Sequence, residues 1–169
     1  RGNSYYFPKR VIPMLPEKLS NNVCSLRPYE DKLTITVLTK FDENFEILHQ
    51  SIHETVICSD ARLSYEDVDS LFDGKEHDIP EEVAECLEKL RVLSNALTRK
   101  KIKKGYIFFD LPEIEYEFDE EGNLVNLGRS KETESHTLIE NCMVLANEYV
   151  SELLSKKSST NLYRIHEKP

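Results

Sequence analysis

Glycine is scarce in this chain: there are five among 169 residues. None falls in G-x-x-x-x-G-K-[ST] or G-x-G-x-x-G, so the loops whose backbone cradles nucleotide phosphates are missing. G-x-S-x-G and H-E-x-x-H are also missing, which removes support for the common motif-borne hydrolase and zinc-protease sites. No apolar run approaches the ~18 residues a membrane span needs, and no leader pattern opens the chain, so no membrane partner is expected. Arg1 stands where Met would open a native chain, so the native start is expected upstream. Basic residues are in the minority, 22 against 31 acidic ones, for a net charge of −9. A broad basic face for nucleic acid is therefore not expected, because phosphate neutralisation needs clustered Lys and Arg. Cysteine occurs four times, at Cys24, Cys58, Cys86 and Cys142, with no C-x-x-C pair for zinc. Three of the four lie in apolar-periodic or strand-like stretches, where they read as buried free thiols, and a reducing cytoplasm fits.

What is present suits one domain of ordinary size. Hydrophobic residues make up 39% and charged ones 31%, with 8 Tyr and 7 Phe. A chain of this length can bury roughly 70% of its unfolded surface. Four of the seven prolines fall at positions 8, 13, 16 and 28, so residues 1–31 read as an extended, irregular segment. Leu33, Ile35 and Val37 alternate with Thr34 and Thr36, the pattern of a half-buried strand. A turn at Asp42-Glu43-Asn44 and a return strand from Phe45 and Ile47 follow. The shift of apolar parity to Ile52 and Val56 predicts a bulge near 48–51. Ser64-x-x-Asp67 resembles a capping box for a short helix ending near Gly74. A second helix starts around Asp78 to Glu81, with Pro80 in its first turn. Val83, Cys86, Leu87, Leu90, Leu93 and Leu97 keep helical spacing, and Gly105 stops it. Ile114 to Phe118 and Leu124 to Leu127 make a hairpin around Asp119 to Asn123. A long helix covers roughly Ser135 to Leu154, and Leu162 to Ile165 read as a strand. The fold class is mixed α/β (α+β), without repeat or linker.

Several clusters invite a chemical reading. Glu66, Asp67, Asp69 and Asp73 sit at the polar positions of the short helix and read as a solvated face rather than metal ligands. Asp119 to Glu121 read as a turn. His49 and His53, four apart in a strand, are ~13 Å from each other, too far to share an ion. Arg99 to Lys104 hold five basic residues in six, which read first as cations favoured at a helix C-terminus and second as a phosphate contact. Aromatics cluster at Tyr5-Tyr6-Phe7 and Tyr106-Ile107-Phe108-Phe109; such rings are core more often than not, though exposed ones can stack on bases. On the long helix, His136, Glu140 and Asn147 form a narrow polar stripe opposite the apolar face, which periodicity alone assigns to solvent.

Longer stretches carry more. The run from Arg1 to Pro8 (RGNSYYFP), then Val11 to Ser20 (VIPMLPEKLS) and Cys24-Ser25-Leu26, resembles the catalytic domain of the ribonuclease II and ribonuclease R family. Ala61 to Tyr65 (ARLSY), His136 to Glu140 (HTLIE) with Ala146-Asn147, and Arg164 to Pro169 (RIHEKP) match the same family in the same order. The form is closer to ribonuclease R, and Tyr5 replaces a more usual aliphatic residue. The resemblance implies a processive 3′→5′ exoribonuclease that releases nucleoside 5′-monophosphates from single-stranded RNA drawn into a buried channel. It implies that Tyr6 and Phe108 clamp the bases at the 3′ end. It also implies that Tyr65 and Glu140 sit by the terminal ribose and read its 2′-hydroxyl. The family's magnesium-binding aspartates precede a run like Arg1–Pro8, and its catalytic arginine follows one like Arg164–Pro169. The 169 residues are thus expected to be the central part of the catalytic domain, gripping RNA and inactive alone, with the Mg²⁺ ligands outside them. The alternative is a catalytically inactive RNA-binding or protein-interaction module on the same fold. The sequence carries no signal for oligomeric state.

Overall fold

The computed structural model describes residues 2–7, 10–106, 113–119, 121–130, 132–157, 160, 162 and 163. Three antiparallel two-stranded ribbons and three α-helices follow one another along the chain, an α+β arrangement. The expected strand at Leu162 to Ile165 lies largely outside the described residues.

The proline-rich opening is more regular than its composition suggests. Strands β1 (Tyr5–Phe7) and β2 (Arg10–Ile12) pair with Tyr6 opposite Val11. The Met14 N–H donates to Ser4 Oγ at 2.9 Å and ties the two ends of this hairpin. A π-helical turn, Leu19–Val23, follows Pro16. Prolines thus punctuate short elements here instead of preventing them, because they fall between the strands and turns and not within them.

Strands β3 (Asp31–Phe41) and β4 (Ile47–Cys58) form the longest ribbon. At its tip, Asp42 Oδ1 accepts the N–H of Asn44 at 2.9 Å and of Glu46 at 2.7 Å. That turn admits Phe45 at φ 60°, a left-handed conformation that costs a non-glycine residue ~1–2 kcal/mol. Lys100 Nζ donates to the Phe45 carbonyl at 2.7 Å and helps hold it. The register shifts where Lys40 faces His49 and Phe41 faces Ile47, so Leu48 is the extra, bulged residue on the return strand, within the expected 48–51.

The burial of this ribbon reverses the expected parity. Leu33 is 88% exposed, Ile35 65% and Val56 62%, while the threonine face is half-buried. Thr55 lies 2.8 Å from Thr34 and 2.6 Å from Thr36, hydroxyl to hydroxyl, which satisfies that face internally. The apolar face is half-buried only toward the tip, at Val37 and Ile52, where the Tyr149 hydroxyl donates to the Gln50 carbonyl at 3.1 Å. Beyond that point the stripe of Leu33, Ile35 and Val56 runs past its cover.

The helices match the sequence reading closely. In α1 (Tyr65–Phe72) the Asp67 N–H donates to Ser64 Oγ and the Ser64 N–H to Asp67 Oδ2, a complete capping box. Gly74, at φ 70°, ends it. Helix α2 (Glu81–Lys103) takes Pro80 as its N-cap residue, just outside the first turn in which it was expected, and stops before Gly105 at φ 89°. Ribbon β5 (Glu113–Phe118) and β6 (Leu124–Ser130) is the expected hairpin, and α3 (Glu134–Lys157) closes the described fold.

The core is small. Val68, Phe72 and Leu138 centre it, with Leu63, Leu71, Leu87, Leu90 and Cys142 packed around. The accessible surface is 14272 Å², against about 8,600 Å² for a folded monomer of this mass. Roughly half of the unfolded surface is buried, not the ~70% expected for a self-contained domain of this length. The thiols show the same thinness: Cys24, Cys58 and Cys86 are exposed, and only Cys142 is half-buried, its thiol pushed up by burial. Strand and helix periodicity placed them correctly along the chain, but too little packs against them to cover them.

Candidate functional site

Helix α3 organises the site, and α1 and α2 supply its flanks. Asp69 on α1 accepts the Ser135 N–H at 3.2 Å, at the first turn of α3. Burial pushes the Asp69 carboxyl up, but bonds from the Thr133 and Ser135 hydroxyls and from that N–H together hold it below its ordinary range. This corrects the solvated-face reading at one position: Asp69 couples two helices. Asp67 serves the capping box, and Asp73 pairs with Lys75 at 2.7 Å.

On the opposite side, Arg91 of α2 holds Glu134 of α3 with both fork positions. Nε donates to Oε1 at 2.9 Å and Nη2 to Oε2 at 2.7 Å. Deeper, the buried Asn141 amide donates to the Ser94 carbonyl at 3.1 Å, to Ser94 Oγ at 2.9 Å and to Thr98 Oγ1 at 2.8 Å. These contacts fix the register of α2 against α3.

With the helices so fixed, His136 and Glu140 share one face of α3, four residues apart. Both are half-buried, contrary to the periodicity reading; only Asn147 of that stripe is exposed. The Tyr65 ring, at the start of α1, stacks on the His136 ring with centroids 3.8 Å apart and planes at 19°. His136 Nδ1 is 2.7 Å from Thr133 Oγ1, which sets the imidazole plane. The Tyr65 hydroxyl has no hydrogen-bond partner among the described residues, and its ring is 41% exposed. A groove of about 430 Å³, lined by Leu63, Tyr65, Ser135 and Ile139 among others, opens beside it.

Glu140 completes the face. Lys101 Nζ, from the last turn of α2, donates to Glu140 Oε1 at 3.1 Å, and the Tyr106 hydroxyl approaches the same oxygen at 3.5 Å. The Lys101 ammonium also lies 5.4 Å from the centre of the Tyr106 ring. Burial, then the nearby Glu140 charge and the bond to it, raise the Tyr106 phenol above its ordinary value. The basic run therefore behaves first as the helix-terminal cations it was read as. Lys100 is spent on Glu46 at 2.6 Å and Lys101 on Glu140, while Arg99, Lys103 and Lys104 have no acidic partner among the described residues.

Of the four residues named from sequence, the structure brings Tyr65 and Glu140 to one helix face. Tyr6 sits in β1, 80% exposed, and no hydrogen bond or ring contact joins it to either among the described residues. Phe108 lies outside the described residues. Sequence reading missed His136, Lys101 and Tyr106 as members of the site. Lys101 and Tyr106 were visible only as parts of a basic run and an aromatic cluster. Among the described residues no three His, Cys, Asp or Glu side chains converge as a metal site needs. The acidic group on α1 does not fit a magnesium ion, since Asp67, Asp69 and Asp73 each have a partner already.

Comparison with known proteins bears on the family and the fold. Ribonuclease R of Aquifex aeolicus is 43% identical over 172 residues, covering all of this chain and 24% of that protein. Ribonuclease R of Escherichia coli is 36% identical over 172 residues, again covering the whole chain and 21% of that protein. The apo form of Mycoplasma genitalium RNase R superposes with a TM-score of 0.84 at 32% identity, over 92% of this chain and 24% of that one. The same enzyme solved with ribose-methylated single-stranded RNA gives a TM-score of 0.84. The chain thus spans about a quarter of the length of the relatives it matches. No helix among the described residues is long and apolar enough to cross a membrane. The RNB domain model matches residues 1–169, the full length of the sequence, and the chain belongs to the RNB domain family.

Proposed function

We propose that residues 1–169 are the central part of the catalytic domain of a 3′→5′ exoribonuclease, one that degrades single-stranded RNA processively to nucleoside 5′-monophosphates. The observation that carries this reading is the face of α3. Tyr65, with a free phenolic hydroxyl, stacks on His136, one turn from the Glu140 carboxylate on the same helix, in a fold shared with RNase R at a TM-score of 0.84. A donor-acceptor hydroxyl and an acceptor carboxylate are what reading a ribose 2′-hydroxyl requires. Tyr6, largely exposed, offers a stacking platform for a base, and Phe108 is its proposed partner in the clamp. The excess surface and the uncovered stripe of Leu33, Ile35 and Val56 support a segment that packs against the rest of a longer polypeptide. That remainder supplies the Mg²⁺ ligands in this reading, which is supported by the lack of any converging group of three His, Cys, Asp or Glu side chains among the described residues. Cysteines without disulfide partners agree with a reducing cytoplasm.

A 5′-labelled single-stranded RNA tests this directly. The full-length protein with Mg²⁺ should shorten it from the 3′ end and release monophosphates, and chelation should stop it. The 169-residue chain alone should release none. RNA binding by the full-length protein without any shortening would instead identify an inactive binding module. Steady release by the purified short chain would refute the placement of the metal ligands elsewhere.

A further inference from the structure

Glu140 can read a ribose with a defined geometry only if its carboxylate is held in one orientation, and no side chain of α3 bonds to it. The partner comes from another element. Lys101 Nζ sits 3.1 Å from Glu140 Oε1, with the lysine side chain 20% exposed and the glutamate 40%. The lysine is itself confined: it lies in the final turn of α2, 5.4 Å from the face of the Tyr106 ring. The Tyr106 hydroxyl is 3.5 Å from the same carboxylate oxygen. Both contacts fall on Oε1, which leaves Oε2 without a partner among the described residues. A carboxylate gripped at one oxygen presents the other in a defined direction, and preorganisation of that kind lowers the ordering cost of binding.

We propose that Lys101 is a positioning residue for sugar recognition: it anchors Glu140 by one oxygen so that the other faces the 2′-hydroxyl of the bound ribose. Tyr106 completes the anchor. This rests on the reading of Glu140 given above and adds to it a residue from the basic run, which acts on a carboxylate and not on a phosphate. The alternative role for Lys101, a direct phosphate contact, predicts a different pattern. Losing a phosphate contact weakens RNA and DNA alike, whereas losing the anchor weakens only the discrimination between them.

The test uses the full-length protein and compares kcat/KM on an RNA oligonucleotide with kcat/KM on the same oligonucleotide carrying one 2′-deoxyribose at a scanned position near the 3′ end. Glu140→Ala sets the scale for loss of discrimination, about tenfold or more for a hydrogen bond to a charged group. Lys101→Met should lower the ratio roughly three- to tenfold, since the carboxylate remains but is no longer held. Lys101→Arg, which keeps a cation at the same place, should restore most of it. In a Glu140→Ala background, Lys101→Met should lower the ratio no further, because the anchor has nothing left to hold. If Glu140→Ala lowers the ratio and Lys101→Met does not, the positioning role is refuted while the Glu140 reading stands. If Lys101→Met lowers turnover on both substrates equally, Lys101 holds phosphate or the fold and the proposal falls. An unchanged ratio in Glu140→Ala would remove the reading on which both rest. A melting curve for each variant separates loss of folding from loss of discrimination.

Discussion

Arg91 joins all three helices, and its removal should be felt by all three. Its guanidinium grips Glu134 at the first turn of α3 through two bonds of 2.9 and 2.7 Å. Its remaining nitrogen donates to the Phe72 carbonyl at the end of α1 at 3.1 Å, and its plane lies 4.5 Å from the Phe72 ring centre. Arg91→Ala loses each of these. The side chains are 29% and 36% exposed, so the ion pair is set at the upper end of the surface range, ~1 kcal/mol. The stacked cation adds ~0.5–1 kcal/mol and the carbonyl bond ~0.5–1 kcal/mol. The sum, ~2–3 kcal/mol, corresponds to a fall in Tm of roughly 4–12 °C for a chain of this size.

A pH series makes the same prediction more demanding. The Glu134 carboxyl is held below its ordinary value, first by the hydrogen bond from Arg91, against burial, and further by the Asn95 amide and the Arg91 charge. A carboxyl depressed in the folded state contributes stability at pH above its unfolded value near ~4.3, and the contribution is lost as pH falls through the folded value. The gap between parent and Arg91→Ala should therefore be full above about pH 5 and shrink in more acid solution. Circular dichroism melts at 222 nm from pH 3.5 to 7 measure it. A gap under 1 °C at pH 7, or one that does not change with pH, would show that the fork on Glu134 does not join the helices as drawn.

Two further outcomes follow from local geometry. Ser64→Ala removes the acceptor for the Asp67 N–H and should cost ~1 kcal/mol, with part of the helical signal lost at α1; an unchanged melt would mean the cap is not formed in solution. A thiol reagent should modify Cys24, Cys58 and Cys86 quickly and Cys142 slowly, since burial both covers that thiol and disfavours its thiolate. Four equal rates in the native protein would contradict the packing of α3.

Local signals were legible wherever the cause of an element lies within a few residues of it. Ser64 and Asp67 cap each other, Gly74 and Gly105 supply the positive φ at which α1 and α2 stop, and Asp119 to Asn123 turn the last hairpin, all readable from sequence. The ribbon of β3 and β4 was legible as strands but not as a buried face. Alternation says which residues share a side; it does not say whether anything covers that side. Leu33 and Ile35 have the pattern of a core strand, and this chain supplies their cover only as far as Tyr149.

The candidate site failed in the opposite direction, and for a related reason. A helical wheel assigns His136 and Glu140 to solvent because it assumes one apolar face and one wet one. Helix α3 is approached from two sides: α1 brings Tyr65 onto His136, and α2 brings Lys101 onto Glu140. Both approaches are long-range, and their registers are set by Asp69 with Ser135, Arg91 with Glu134, and Asn141 with Ser94. Each of those pairs is polar, so none appears in a count of apolar periodicity. Polar side chains on a half-buried face are costly unless paired, and the pairing is what joins a stripe read as surface to α1 and α2. Only family resemblance, which carries the outcome of the packing within it, could single out Glu140 before the helices were placed.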